Sequence, residues 1–399
     1  MKSTAFTLVV LAYICGMVTA PAEQQKISQA DNAFAFKLLG ELAKQLPPEN
    51  IFISPYSAAT ALQMVASGSA GSTKTEMEAV METSGLSSAQ VGSGNLAIAT
   101  SLNTGISNVA LTTANAVWYQ QGFVVNSNFI AHVRQAFGAT FDPLNFADPA
   151  SVDVINRWAH DQTHGRIDHI ADGMIDANTR LYLANAVYFK AKWADPFKPS
   201  ATIDQPFYLR TGGQVNAHMM GKSGAFAYQR GPDYEAVRLP YENKNLAMYV
   251  FLPDTNSSPE KLLSRFSGDG WQRTVKPGFT SKSGILKLPR FKFDYTIKLN
   301  DALMTMGMKA AFSMASADFS GIGHELFISG LLQKAFIEVK EEGTEAAAVT
   351  VIAIAGRAMV RPPADFFNMV VDRPFLFLIE DNQTGVILFM GMVFDPVEK

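Results

Sequence analysis

Two groups of residues in this 399-residue chain could do chemistry by type and spacing. His160 and His164 stand four apart in a stretch with helical spacing, and such a pair on one helix face can hold zinc. The residue at the second position is Asp161, shorter than the Glu of a zinc-protease helix. Gly165 also ends the helix just past the second histidine, so the pair reads as a solvated helix end. The second group lies in Glu341 to Pro363, E-E-G-T-E-A-A-A-V-T-V-I-A-I-A-G-R-A-M-V-R-P-P. It opens acidic, at Glu341, Glu342 and Glu345 around Gly343, and carries no charge from Ala346 to Gly356. It then presents Arg357 and Arg361 before Pro362-Pro363. Signatures of enzymes are missing: there is no G-x-S-x-G, no P-loop and no dinucleotide fingerprint. Gly68-Ser69-Ala70-Gly71 lacks the spacing, and the single cysteine is Cys15.

The Val-Thr-Val-Ile part of the run is strongly β-prone, and such a segment left in solvent is an aggregation hazard. Two readings follow. One is a buried strand that ends in a proline turn. The other is a loop able to become a strand, with Thr344, Ala346, Ala348, Thr350, Ile352 and Ile354 on one face because side chains alternate at period two. In that reading Gly343 and Thr344 act as the hinge, since glycine permits large backbone changes.

The chain begins M-K-S-T, runs apolar from Ala5 to Val18 and reaches Ala20-Pro21-Ala22, the plan of a secretory signal peptide. Cleavage is expected after Ala22, with Ala20 as the alternative. A membrane anchor would need about 20 apolar residues. The expected organisation is a leader over 1–22 and one exported, extracellular domain over 23–399. With Cys15 in the leader, packing rather than disulfides must hold the mature chain. The net charge of −3 gives no footing for general nucleic-acid or membrane binding. Asn256 and Asn382 head sequons and are candidate glycosylation sites, the first weakened by Pro259.

Helical spacing runs over 25–46 and stops at Pro47-Pro48. A helix capped by Ser54 or Ser57 is expected through about Ser67, and others near 72–81, 128–137, 151–163, 259–266 and 299–308. Strands are expected at 51–53, 111–118 and 180–189, several within 205–252, then at 284–295 and 327–339. A hairpin closes the chain at 375–379 and 386–390, around Asn382-Gln383-Thr384-Gly385. Helices interleaved with antiparallel strands make an α+β fold.

Four stretches, in order, resemble the serpin family of reactive-loop protease inhibitors. E-E-G-T-E-A-A-A at 341–348 resembles its hinge. Asn50 to Met77 resembles its second helix and approach. Leu183 to Phe197, with Trp193, resembles its tryptophan-bearing strand and turn, and Asp372 to Pro396 its closing strand pair. The resemblance implies three β-sheets, about nine helices, an exposed reactive-centre loop at about 341–363, no cofactor or metal, and a monomer.

It also implies a suicide substrate for a serine protease, trapped as a covalent complex. Counting from Glu341 as the seventeenth residue before the cut places the scissile bond between Arg357 and Ala358. A trypsin-like protease takes a basic side chain there because its pocket holds a carboxylate. Arg361 is a rival, but Pro362 follows it and lacks an N–H. Met359 is another if the count runs back from Pro362-Pro363. The implied hinge is Glu341, Glu342, Gly343, Thr344, Glu345, Ala346, Ala347 and Ala348, with Arg290 as the ion-pair partner of Glu341.

Gln333 stands where many members have His, in a sheet-opening region with Ser54, Ser57, Asn156, Asn185 and Trp193. Ser84 to Ser101 has no Lys or Arg where some members bind heparin, which argues against heparin activation by that route. The alternative is a non-inhibitory member: a carrier, chaperone or storage protein. Such members often lose the small hinge residues, which are intact here.

Overall fold

The computed structural model describes residues 4–46, 49–104, 109–171, 173, 175–266, 270–344 and 365–397. In the first half, the order is α1 (Thr4–Gln45), β1 (Ile51–Ile53), α2 (Pro55–Ala66), α3 (Gly71–Val80), α4 (Ser88–Thr104), β2 (Val109–Gln120), α5 (Ser127–Phe137), β3 (Thr140–Leu144), α6 (Ala150–Gln162) and β4 (Leu181–Lys192). Next come β5 (Ile203–Tyr208), β6 (Gln214–Arg230), β7 (Tyr234–Pro240), β8 (Leu246–Pro253), α7 (Pro259–Phe266), β9 (Thr280–Pro289), β10 (Phe291–Lys298) and α8 (Asn300–Met306). The chain closes with β11 (Ile328–Lys340), β12 (Gly343–Thr344), β13 (Phe367–Val370), β14 (Phe375–Asp381) and β15 (Ile387–Val393). Eight α-helices and a π-helical turn at Trp271–Val275 are present among the described residues. No helix among them is long and apolar enough to cross a membrane.

The strands form two hydrogen-bonded networks. One has six strands in the order β10-β11-β12-β4-β2-β3, and the other has nine. The three expected sheets are present as three regions, because β6 joins two of them. Its first part pairs with β5 and β9, while Ala227–Arg230 pairs with β7, which leads on to β8, β14, β15 and β1. The single strand expected over 284–295 is two strands in different networks. Pro289 has no N–H for the ladder, the Arg290 N–H makes one last bond to β6 at the His218 carbonyl, 2.9 Å, and from Phe291 the chain pairs with β11.

Strand β4 shows why its sequence is apolar at almost every position: both faces are covered. Val187, Phe189 and Ala191 enter the core between the two networks, while Tyr182, Ala184 and Ala186 pack with Ile155 and Ala159 of α6. Ser54 occupies the N-cap position of α2, with Pro55 preset for the first turn. Its hydroxyl makes no cap; it donates to the Leu388 carbonyl at 2.7 Å and ties the helix start to β15. The apolar helix expected from Gln25 continues upstream, since α1 is helical from Thr4.

Under α4, the fully buried Asp31 of α1 accepts from the Gln63 amide at 2.7 Å, and Gln63 accepts from Asn95 of α4 at 2.7 Å. Burial without a cation pushes the Asp31 carboxyl up to about 8, although the Gln63 bond works in the opposite direction. The folded protein therefore holds a proton that the unfolded chain releases near pH 4, so this group takes stability away as pH rises from there to about 8. Asp31→Asn should raise the melting temperature at pH 7.5 and flatten its pH dependence. An unchanged or lower melting temperature would show that the carboxyl is not held neutral.

Candidate functional site

In the six-stranded network, β11 and β4 lie parallel in an otherwise mostly antiparallel sheet, paired from Ile328–Leu181 to Phe336–Tyr188. Beyond that point they are separated, and Gly343–Thr344 fills the gap. Thr344 pairs with Val339 on one side and Ala191 on the other, and Gly343 with Lys340 and Lys192. This short strand is antiparallel to both neighbours because a tight turn returns it from the end of β11. Glycine is required at 343: a Cβ would lie 2.1 Å from the Ala191 carbonyl oxygen. Thr344 is fully buried, its hydroxyl 2.9 Å from the Tyr241 hydroxyl. Thr344 begins the face expected to line up in a loop that becomes a strand, and here it is already seated.

Trp193 fastens the turn. Its indole N–H donates to the Lys340 carbonyl at 2.9 Å and its backbone N–H to the Glu342 carbonyl at 2.9 Å. Its ring stacks on Tyr241 with centroids 4.6 Å apart. The Phe197 N–H donates to the Glu341 carbonyl at 2.9 Å.

The Glu341 carboxylate is buried against Arg290 and Thr202. Arg290 donates from Nε at 2.9 Å and Nη2 at 2.5 Å, both to Oε1, and the Thr202 hydroxyl donates to the same oxygen. Both guanidinium nitrogens meet one carboxylate oxygen rather than forking across the two. Desolvation pushes this carboxyl upward, but the bonds from Arg290 and Thr202 outweigh it, and the pKa lies below the ordinary 4.5. The stabilisation is present above that ordinary value and lost as pH falls through the lowered one.

Glu341→Lys sets two cations together. It should cost about 1–3 kcal/mol, because Arg290 is 38 % exposed and water screens it. The freed hinge should polymerise faster than wild type on mild heating, with the wild type approaching the mutant as pH falls through the lowered pKa of Glu341. Equal polymer on native gels at pH 7 would remove Glu341 as the lock.

At mid-sheet, register sets Gln333, Asn185 and Asn115 abreast on β11, β4 and β2. The Gln333 amide donates to Asn185 Oδ1 at 2.5 Å and to the Ser54 carbonyl at 2.9 Å, and accepts from the Ser54 N–H at 2.8 Å. Asn185 Nδ2 donates to Ser57 Oγ and, at 2.5 Å, to Asn115 Oδ1. Parting β11 from β4 must break the Gln333–Asn185 bond. Asn156 was expected in this network, but its carboxamide oxygen accepts from the N–H groups of Ile170 and Ala171, at 2.8 and 3.0 Å. It sits on α6, beyond the outer face of the sheet. Asn115, unnoticed in the sequence, supplies the amide that meets Asn185.

Arg357 and Ala358, and hinge residues Glu345, Ala346, Ala347 and Ala348, lie outside the described residues. Asn256 is exposed, whereas Asn382 is half-buried and its Nδ2 donates to the Asn245 carbonyl at 2.7 Å. The folded surface thus presents the first sequon more openly. His160 meets Asp168 at 2.7 Å, and His164 takes a left-handed conformation, φ 54°, at the helix end.

A family model described as Serpin (serine protease inhibitor) matches residues 29–396. An uncharacterized serpin-like protein of Thermococcus kodakarensis is 36 % identical over 95 % of this chain and 88 % of its own. Human leukocyte elastase inhibitor is 32 % identical over 93 % of this chain and all of its own. Among solved structures, the thermophilic serpin tengpin in its native state superposes with a TM-score of 0.84 at 29 % identity, covering 93 % of this chain and 94 % of tengpin. Native protease nexin-1 with heparin gives 0.82 at 29 % identity over 94 % of this chain and 100 % of that one. Human thyroxine-binding globulin gives 0.84 at 27 % identity over 94 % of this chain and 100 % of that one.

Proposed function

The chain belongs to the serpin family, and from that premise we propose that it is a secreted inhibitor of trypsin-like serine proteases, cut after Arg357. The protease serine attacks the Arg357 carbonyl and forms the acyl-enzyme, with the amine of Ala358 leaving. The freed loop then continues the path that Gly343–Thr344 has begun, as a strand between β11 and β4, and carries the acylated protease with it.

The observation behind this reading is the seat of Gly343–Thr344, antiparallel to both neighbours at the mouth of a parallel pair. Insertion exchanges one parallel ladder for two antiparallel ones, which are slightly more stable per residue. About a dozen added ladder bonds at roughly 0.5–1.5 kcal/mol each sum to the order of a whole domain's stability, ~5–15 kcal/mol. That is enough to distort the active site of a bound protease.

The second reading, a non-inhibitory carrier, draws on the match to thyroxine-binding globulin, whose TM-score equals tengpin's. Overall shape therefore does not separate the two readings; the small hinge residues favour inhibition. Incubation with a panel of trypsin-like proteases decides it. An SDS-resistant complex, with Ala358 as the new N-terminus, is expected. Cleavage of the loop with no complex and full protease activity would favour the carrier.

A further inference from the structure

A cavity of about 480 Å³ lies beside the hinge lock, a size typical of small-molecule sites. The exposed Val397 and the alkyl stems of Lys292 and Lys340 give it apolar surface, since Phe291 and Val339 are buried in the core, and Arg290, Lys292, Lys340, Asp294 and Glu338 give its charges. These charges do not cancel. Glu338 is held by Lys340 at 2.8 Å and Asp294 by Lys334 at 3.3 Å. Lys292 has no carboxylate partner among the described residues; its ammonium lies 5.6 Å from the centre of the Phe336 ring. Arg290 spends Nε and Nη2 on Glu341, and no described bond uses Nη1. Among the described residues Lys292 is thus left without a counter-charge, and Arg290, paired with Glu341, keeps Nη1, beside apolar surface where both acids are already neutralised.

We propose that this cavity binds an amphiphilic carboxylate, its acid head on Arg290 and Lys292 and its hydrocarbon body against Val397 and the alkyl stems of Lys292 and Lys340. A guanidinium keeps directed N–H donors for a second acid, and Lys292 adds a point charge. Arg290 is shared, so the ligand's carboxylate and Glu341 compete for it. By linkage, filling the cavity loosens the hinge as much as loosening the hinge favours filling. The site does not depend on whether the loop traps a protease.

Decanoate titrated calorimetrically into the whole protein tests this. One-to-one binding is expected, at least tenfold tighter than that of decanol, which has the same body without the acid. Lys292→Glu, at an exposed position, should weaken binding at least tenfold, and Val397→Asp, which lines the cavity and is 47 % exposed, should weaken it too. Glu341→Gln removes the competitor and should tighten binding several-fold. No binding, or equal binding to wild type and Lys292→Glu with both melting normally, overturns the site. Unchanged affinity in Glu341→Gln overturns the sharing of Arg290.

Discussion

Thr344→Arg is expected to turn the protein from an inhibitor into a substrate. Thr344 sits at 0 % exposure between β11 and β4, under the Tyr241 hydroxyl and beside the Trp193–Tyr241 stack. A guanidinium there would sit among buried aromatic side chains, and the Glu341 carboxylate is already bound to Arg290. Burying an unpaired charge costs several kcal/mol. Even about 3 kcal/mol on the barrier slows insertion by roughly 100-fold. Arg357 is untouched, so acyl-enzyme still forms, and hydrolysis then overtakes insertion. The loop should be cut after Arg357, active protease released, and no SDS-resistant complex seen. Because Thr344 is seated before any cleavage, the arginine must leave that seat in the intact protein, so the cost falls on insertion and the uncut mutant, its hinge unpaired, should also melt lower than wild type and gain less on cleavage. Thr344→Val, which keeps the shape and loses only the hydroxyl, should melt slightly lower and still trap. Trapping of trypsin at one-to-one stoichiometry by Thr344→Arg would refute the insertion mechanism.

Arg357→Ala should remove inhibition of trypsin while Arg361→Ala largely spares it. The pocket of a trypsin-like protease holds a carboxylate, and truncating the buried cation that meets it costs about 2–5 kcal/mol, or roughly 30-fold to several-thousand-fold in association. Arg361 is followed by Pro362, which lacks the N–H and restricts its neighbour. Second-order rate constants for both variants and N-terminal sequencing of the cleaved protein separate the two arginines. Pro362 as the new N-terminus, or full inhibition by Arg357→Ala, would move the reactive bond.

Much of the site can be read from linear sequence because its parts are local. Glycine beside a run of small residues marks the hinge at Gly343, and the close approach to the Ala191 carbonyl gives the reason. The partnership of Glu341 with Arg290 is also foreseen, from motif positions rather than from chemistry. Its one-oxygen geometry is not foreseeable, because it depends on Thr202 arriving at the same atom.

The sequence by itself determined the family, the α+β class and the positions of most elements. Apolar periodicity and proline or glycine stops act within a few residues, so a chain carries them openly. Register and strand neighbours were decided only by the tertiary structure. Asn115 enters the mid-sheet row because β2 pairs with β4 at Asn185, and Asn156 stays outside it because α6 lies on the other face. The strand expected over 284–295 divides at Arg290 because its halves pair with different partners. The seat of Thr344 exists because β11 and β4, distant in sequence, run parallel and then separate. Each of these depends on which backbone hydrogen bonds form between segments more than about 30 residues apart, and no short window of sequence carries that choice.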